Sequence, residues 1–490
     1  MYPNQVAIRR DRASVTFSQL WDDIEAVTEN ARLMGFGTGQ TFLFVAQPGP
    51  RTLAVALGLL KVGLRLAFID PFTAVDSFHT RVDLVRPDLV IADAKLYLLG
   101  HPGSRWLRKA VNLNVVDYAT ISGATHFVSG LHFLPKMPKR AGRIEEFLKN
   151  PSSSRRSASA LPDPNADAVV VFTSGTTGDP KGVVHSLESL SASFESTANA
   201  FDFRPGEVLL SEPMTVGLVA LCRGVTWVIP GKKLPARVDK YFGVPTDVIK
   251  LLDALTKHPD RCKGLRQVAM GGAPVLPSLI RRIHGVLGKD TRTLSVYGMT
   301  EILPAAIATG EDKLATTDSD LLGVPVQGVE FAFAPDKEIL VRGPGLMKGY
   351  LGKPQSSWHA TGDLGYLDEQ GRLRLLGRKK NMLIRADMNI YPSLYEPGLC
   401  TIQGVADAVI VGAPDAIGDD RVVLFVVPLA GISAKDLLRR VELEVPRHMD
   451  QQAYPDRIEV LDHLPISGRG QKRDMAKLRK LALALFDGEV

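Results

Sequence analysis

A short, β-rich apolar run followed by a helix-forming stretch recurs down the first half of the chain. This alternation limits the possible fold more than any other feature. The candidate strands are TFLFVA (41–46), LRLAFID (64–70), DLVIAD (88–93) and AVVVFTSG (168–175), and helical stretches such as 17–34 and 52–62 lie between several of them. Runs that are apolar without a break belong to strands covered on both faces, and their alternation with helices is the pattern of a parallel α/β sheet. GVTWVIP (224–230), QVAMGGAP (267–274) and LSVYGMTE (294–301) extend the series.

The texture changes after about residue 376. Two strands, VADAVIVGAP (405–414) and RVVLFVVPL (421–429), precede a helix near 433–445. RIEVLDHL and a terminal helix, DMAKLRKLALAL, follow. The expected fold class is therefore α/β. It has a large N-terminal domain (1–376) of stacked, mostly parallel sheets with helices, and a small α+β domain (377–490). A length of 490 residues suits more than one core, since domains run to roughly 150 residues. Residues 134–167 interrupt the pattern with a basic, Pro/Gly-containing piece and a Ser/Pro-rich piece, and read as a solvated connector. The alternative is a basic arm beside Phe133 and Leu134 that touches anionic lipid or a carrier protein, a peripheral membrane contact.

Composition excludes several classes. With 45% hydrophobic and 23% charged residues the chain is neither disordered nor collagenous. A net charge of +6 over this length does not call for nucleic acid, and none is expected as a partner. Cys222, Cys262 and Cys400 lie far apart, with neither zinc spacing nor a disulfide framework, which suits a reducing compartment. The opening residues lack an apolar signal core, and the longest apolar stretch is too short to span a bilayer. The expectation is a cytoplasmic protein without a transmembrane segment. Nothing in the sequence sets its oligomeric state.

The densest chemical signal is VVVFTSGTTGDPKGVVHS (169–186). A strand runs into Thr173, Ser174, Gly175, Thr176, Thr177 and Gly178, and the loop closes on Asp179, Pro180, Lys181 and Gly182. Glycines let the backbone approach a bulky anion, hydroxyls and N–H groups donate to it, and Lys181 adds a mobile positive charge. Such a loop suits a polyphosphate. It is not a Walker A loop, because Gly178 is followed by Asp-Pro-Lys-Gly rather than Lys-Ser/Thr.

This loop resembles the signature of the adenylate-forming enzymes: acyl-CoA synthetases, peptide-synthetase adenylation domains and luciferases. Further motifs follow in that family's order. GGAPV (271–275) matches the segment against which the resemblance sets adenine, at Gly272, Ala273 and Pro274. In VYGMTE (296–301), Tyr297 would stack on adenine, Thr300 would bind an α-phosphate oxygen and Glu301 would hold Mg²⁺. Asp363, in TGDLG, would accept bonds from the ribose hydroxyls, and Arg378, in GRKKN, would also reach the ribose. Lys380 falls at the family's hinge, which implies that the small domain is a mobile lid.

The closing loop, LPISGRGQKRDMAKL (464–478), resembles the one that carries the family's catalytic lysine. The usual position, six after the proline, holds Gln471, and Lys472 comes one later. A glycine-containing loop absorbs a one-residue shift, so Lys472 is the candidate, with Arg469 and Arg473 as alternatives.

Two departures bear on the substrate. The segment that lines the family's acyl pocket reads Glu212-Pro213-Met214-Thr215-Val216-Gly217-Leu218, without a ring; an apolar wall suits a fatty chain, while a plain core strand is the alternative. The glycine pair common after the hinge is replaced within Arg385-Ala386-Asp387-Met388-Asn389-Ile390, a stretch that in CoA ligases flanks the pantetheine tunnel. Residues 66–99 and 297–306 are also similar to the β-lactone synthetases of olefin biosynthesis.

The resemblance implies ATP-dependent activation of a hydrophobic, fatty-acyl-type carboxylic acid to acyl-AMP with release of pyrophosphate. Transfer to the thiol of CoA or of a carrier protein follows. ATP and Mg²⁺ are the implied cofactors, with CoA as the candidate acceptor. The alternatives are a β-lactone synthetase that uses an internal hydroxyl, and a catalytically silent nucleotide-binding homologue.

Overall fold

The computed structural model describes residues 2–69, 75–101, 104, 116–130, 141–149, 162–172, 180–316, 320–353, 356–385, 388–414, 420–467 and 472–486. The chain divides into two compact units. One is Met1–Val238 with Thr300–Leu303 and Pro344–Ser357; the other is Asp239–Met299 with Pro304–Gly343 and Trp358–Val490.

The first unit is built on an eight-stranded sheet. Its order is Gly349–Tyr350, Gly182–Ser186, Asp167–Phe172, Arg65–Phe68, Thr41–Val45, Leu89–Asp93, Thr125–Ser129 and Gly142–Arg143. From Asp167–Phe172 to the Gly142–Arg143 edge every pairing is parallel, as the unbroken apolar runs predict. The strand Thr41–Val45 shows why. Leu43 and Val45 enter one core with Phe78 and Val90, while Phe42 and Phe44 enter the other with Val55 and Leu59. Period-two side chains at 42–45 are buried on both faces in turn, which is why the run carries no apolar/polar alternation. Each fully buried Phe or Leu here contributes roughly 1.5–3 kcal/mol.

At the other end of this sheet the pattern reverses. Gly182–Ser186 pairs antiparallel with Asp167–Phe172, and Gly349–Tyr350 pairs antiparallel with Gly182–Ser186. The loop 173–179 between the first two strands lies outside the described residues.

Two expectations need correction. The segment after Glu212 is a helix, Met214–Cys222, not a strand. Short apolar runs carry no period that separates the two states. Within the helix Gly217 lies against Trp227, where a Cβ would come within 2.1 Å of the indole. The connector, in turn, is not solvated throughout. Residues 131–140 and 150–161 lie outside the described residues, but between them Ile144 and Phe147 are buried. The Phe147 ring sits 4.5 Å, centroid to centroid, from Phe127.

The second unit carries three parallel strands, Lys240–Gly243, Gln267–Gly271 and Arg292–Met299. An antiparallel group of Asp320–Pro325, Leu373–Arg378, His359–Leu367, Glu338–Arg342 and Glu330–Phe333 accompanies them. Its C-terminal part is α+β. Val405–Pro414, Asp420–Pro428 and Arg457–Val460 form a sheet. One face packs Leu437, Val441 and Val445 of the helix Ala434–His448, and the other packs Leu478 and Ala482 of Met475–Ala484. Among the described residues no helix is long and apolar enough to cross a membrane. All three cysteines are free thiols.

Candidate active site

In the first unit, the strand that leaves the glycine-rich loop is tied to the Thr300–Glu301 pair. His185 Nε2 lies 2.8 Å from the Thr300 carbonyl. A carbonyl only accepts, so Nε2 carries the proton. Burial depresses the His185 pKa, which keeps the ring neutral, and Nδ1 then accepts from Ser189 Oγ at 3.2 Å. The Met347 amide donates to the Glu301 carbonyl at 2.7 Å, and the Lys348 amide donates to the Val184 carbonyl at 2.7 Å. Tyr350 donates its hydroxyl to Glu301 Oε1 at 2.8 Å, and the Lys181 ammonium lies 5.4 Å from the centre of the Tyr350 ring. Lys181, Thr300 and Glu301 are thereby brought together around Tyr350 and His185. Neither of those two stood out in the sequence. A Gly-Tyr pair and one strand histidine are common, and only register makes them matter. Thr173, Ser174, Gly175, Thr176, Thr177 and Gly178 lie outside the described residues.

Glu301 fits magnesium in one particular way. Among the described residues no group of three or more His, Cys, Asp or Glu could hold a metal ion. Magnesium does not need such a cage, because it keeps waters and takes one or two carboxylates plus substrate phosphates. A single oriented carboxylate that shares Tyr350 with the Lys181 ammonium meets that requirement.

In the second unit, Asp363 is the centre. Its side chain is only 4% exposed. Tyr297 donates its hydroxyl to Oδ2 at 2.8 Å, and Arg378 Nε lies 2.8 Å from Oδ1. Asp363 and Arg378 face each other across an antiparallel pair, so register alone fixes their meeting. The Asp363 amide donates to Thr361 Oγ1 at 3.0 Å, which locks the turn, and Gly362 adopts φ +72°, where a Cβ would be strained. Tyr297 packs beside Ala306, Leu322, Ile339 and Leu373. Burial and the Asp363 charge hold its phenol well above the ordinary value, so it remains a donor.

Gly272, Ala273 and Pro274 follow the strand Gln267–Gly271 and precede the helix Pro277–Leu287. Gly272 has φ +77° and, among the described residues, only Val244 within 4 Å of a notional Cβ, which leaves room for a flat group.

In the closing loop, Ser467 pairs with Lys472 and Ile466 with Arg473, which makes the loop a β-hairpin. Residues 468–471, Arg469 among them, and the Lys472 side chain lie outside the described residues, as does the side chain of Lys380. Arg473 is committed elsewhere, to Glu396 at 2.9 Å and Asp407 at 2.5 Å. Burial opposes its charge, but these carboxylates outweigh that and raise its pKa. Arg385, in the stretch that departs from the family pattern, is likewise engaged. It donates to the Tyr454 carbonyl at 2.8 Å and pairs with Asp456.

The first unit thus holds Lys181 and an oriented carboxylate around Tyr350, and the second a buried aspartate flanked by Tyr and Arg. The family profile described as AMP-binding enzyme matches residues 1–351, and the AMP-binding enzyme C-terminal domain matches residues 395–471. The chain belongs to the AMP-binding enzyme family.

As a member it is an ATP-dependent acid ligase. It is 30% identical over 400 residues to a 3-[(3aS,4S,7aS)-7a-methyl-1,5-dioxo-octahydro-1H-inden-4-yl]propanoyl:CoA ligase of Mycobacterium tuberculosis, a match that covers 75% of this chain and 76% of the relative. An olefin beta-lactone synthetase of Stenotrophomonas maltophilia is 25% identical over 483 residues, covering 87% and 83%. The fold matches the crystal structure of ATP bound MatB from Rhodopseudomonas palustris, with a TM-score of 0.79 at 22% identity over 99% of this chain and 97% of that one.

Proposed function

We propose that this AMP-binding enzyme activates a hydrophobic, fatty-acyl-type carboxylic acid as its acyl-AMP and then passes the acyl group to a thiol of CoA or of a carrier protein. The observation that carries the reading is the bond from His185 to the Thr300 carbonyl, which ties the strand after the phosphate loop to the candidate metal carboxylate. In the first step a carboxylate oxygen bonds to the α-phosphorus of ATP and the bond to the bridging oxygen breaks, releasing pyrophosphate. Both reactants are anions, so the protein's task is charge neutralisation and in-line placement.

Each residue takes one part of that task. Lys181 and the hydroxyls of 173–177 hold the outer phosphates, and Thr300 donates to the α-phosphate. Glu301 would hold a magnesium ion, which would supply neutralisation of phosphate charge. Gly272, Ala273, Pro274 and Tyr297 border the adenine, while Asp363 accepts from the ribose with Arg378 beside it. Lys472 bridges carboxylate and α-phosphate. Residues 377–490 act as a lid about Lys380. In the second step a thiolate attacks the acyl carbon, AMP leaves, and the thiol proton passes to solvent.

A screen of carboxylic acids for pyrophosphate release, with and without CoA, tests the reading. Acid-dependent pyrophosphate release with a preference for long aliphatic acids supports it, and absence of any acid-dependent release removes it in favour of a silent homologue. The similarity to the olefin beta-lactone synthetase along 87% of the chain favours one second reading. In that reading the substrate is a β-hydroxy acid whose own hydroxyl displaces AMP. A β-lactone formed from such an acid and ATP without CoA, detected by mass spectrometry, would establish it.

A further inference from the structure

We infer that Tyr350 is a positioning residue that sets the phosphate-loop lysine and the metal carboxylate in fixed relation, its ring under Lys181 and its hydroxyl on Glu301. The inference rests on the reading of Lys181 and Glu301 as phosphate and metal contacts.

Register brings the three together. Tyr350 pairs with Val183, two residues beyond Lys181, and the Leu351 amide donates to the Gly182 carbonyl at 2.7 Å. The segment 347–351 is therefore sewn along the strand that leaves the loop. Its first residue holds the other partner, through the Met347 amide on the Glu301 carbonyl. Glu301 is thus fixed at both ends, its backbone by Met347 and its carboxylate by the Tyr350 hydroxyl at 2.8 Å.

The hydroxyl bond has a chemical consequence. It occupies one lone pair of Oε1 and restrains rotation of the carboxylate. Oε2 would then be the oxygen offered to a magnesium ion. A phenol is suited to this task, because its O–H donates to a carboxylate while its ring stays free to meet a cation. The ring does a second job. Lys181 is exposed and its ammonium has many rotamers, and an aromatic face 5.4 Å away restrains it by cation–π attraction.

The two jobs separate by substitution. Tyr350→Phe keeps the ring and loses the hydroxyl, whereas Tyr350→Leu loses both. The readout is equilibrium binding of α,β-methylene-ATP, which cannot be cleaved at the bond broken in adenylation, measured by calorimetry with magnesium chloride or with EDTA. Tyr350→Phe is expected to lose about tenfold of the magnesium-dependent gain in affinity, the scale of a hydrogen bond to a charged group. Its metal-free affinity should stay near that of the wild type, which also serves as the folding control. Tyr350→Leu should in addition lose about threefold of the metal-free affinity. A Phe variant with the full magnesium-dependent gain overturns the inference. Glu301→Gln distinguishes the causes. If it too keeps the gain, the metal reading of Glu301 falls. If it loses the gain while Tyr350→Phe keeps it, only the role of Tyr350 falls.

Discussion

Tyr297 and Asp363, 66 positions apart, are joined by a 2.8 Å hydrogen bond from phenol to carboxylate. The tyrosine that the sequence assigns to adenine thus also braces the aspartate assigned to ribose. Tyr297→Phe keeps the aromatic face and removes the brace. The expected outcome is a rise of about tenfold in the KM for ATP with little change in kcat, read by pyrophosphate exchange. An unchanged KM would mean that Arg378 alone orients Asp363.

Lys472 and Arg473 are neighbours with opposite expectations. Lys472→Ala should lower adenylation by on the order of 10²–10³-fold, spare thioester formation from supplied acyl-AMP, and leave stability unchanged. Arg473→Met removes the countercharge of Glu396 and Asp407, and burial already pushes the Glu396 carboxyl above its ordinary value. Its cost is about 3–5 kcal/mol in denaturant unfolding. A stable Arg473→Met protein inactive only in adenylation would move the catalytic assignment from Lys472 to Arg473.

Acid should destabilise the first unit through two buried histidines. Burial depresses the pKa of both His126 and His185. His126 Nε2 donates to the Ile121 carbonyl at 3.1 Å, so its Nδ1 accepts from the Tyr97 hydroxyl at 2.8 Å. Neither ring gains by protonation in the folded state. The unfolded chain protonates both below about pH 6.5, so their stabilising effect is present above that value and lost as pH falls through it. The slope of Tm against pH between about 5 and 7 should flatten in His126→Asn. A slope equal to that of the wild type would show that His126 is charged in the fold.

The contact of Gly217 with Trp227 leaves no room for a methyl group. Trp227 is fully buried and donates Nε1 to the Ser211 carbonyl at 2.8 Å, so the ring cannot step aside. Gly217→Ala is expected to destabilise by about 1–3 kcal/mol through overpacking, measured by denaturant melts. A stability equal to that of the wild type would mean that the helix Met214–Cys222 shifts freely on the strand.

The sequence by itself determined the parallel sheet and the family, because both are written in neighbouring residues. Thr41–Val45 is apolar at four of five positions. The loop 173–182, YGMTE and TGDLG each set their candidate groups within a few residues of one another. Only the tertiary structure decided what those groups lean on. Tyr350 reaches Glu301 across 49 positions, and Arg473 reaches Glu396 across 77. Asp363 meets Arg378 because two strands pair in one register. Met214–Cys222 became a helix against the ring of Trp227. Such meetings depend on strand register and on close packing between distant segments. A slip of one residue in a strand pairing would turn its side chains to the opposite face, and no local run of sequence records that choice.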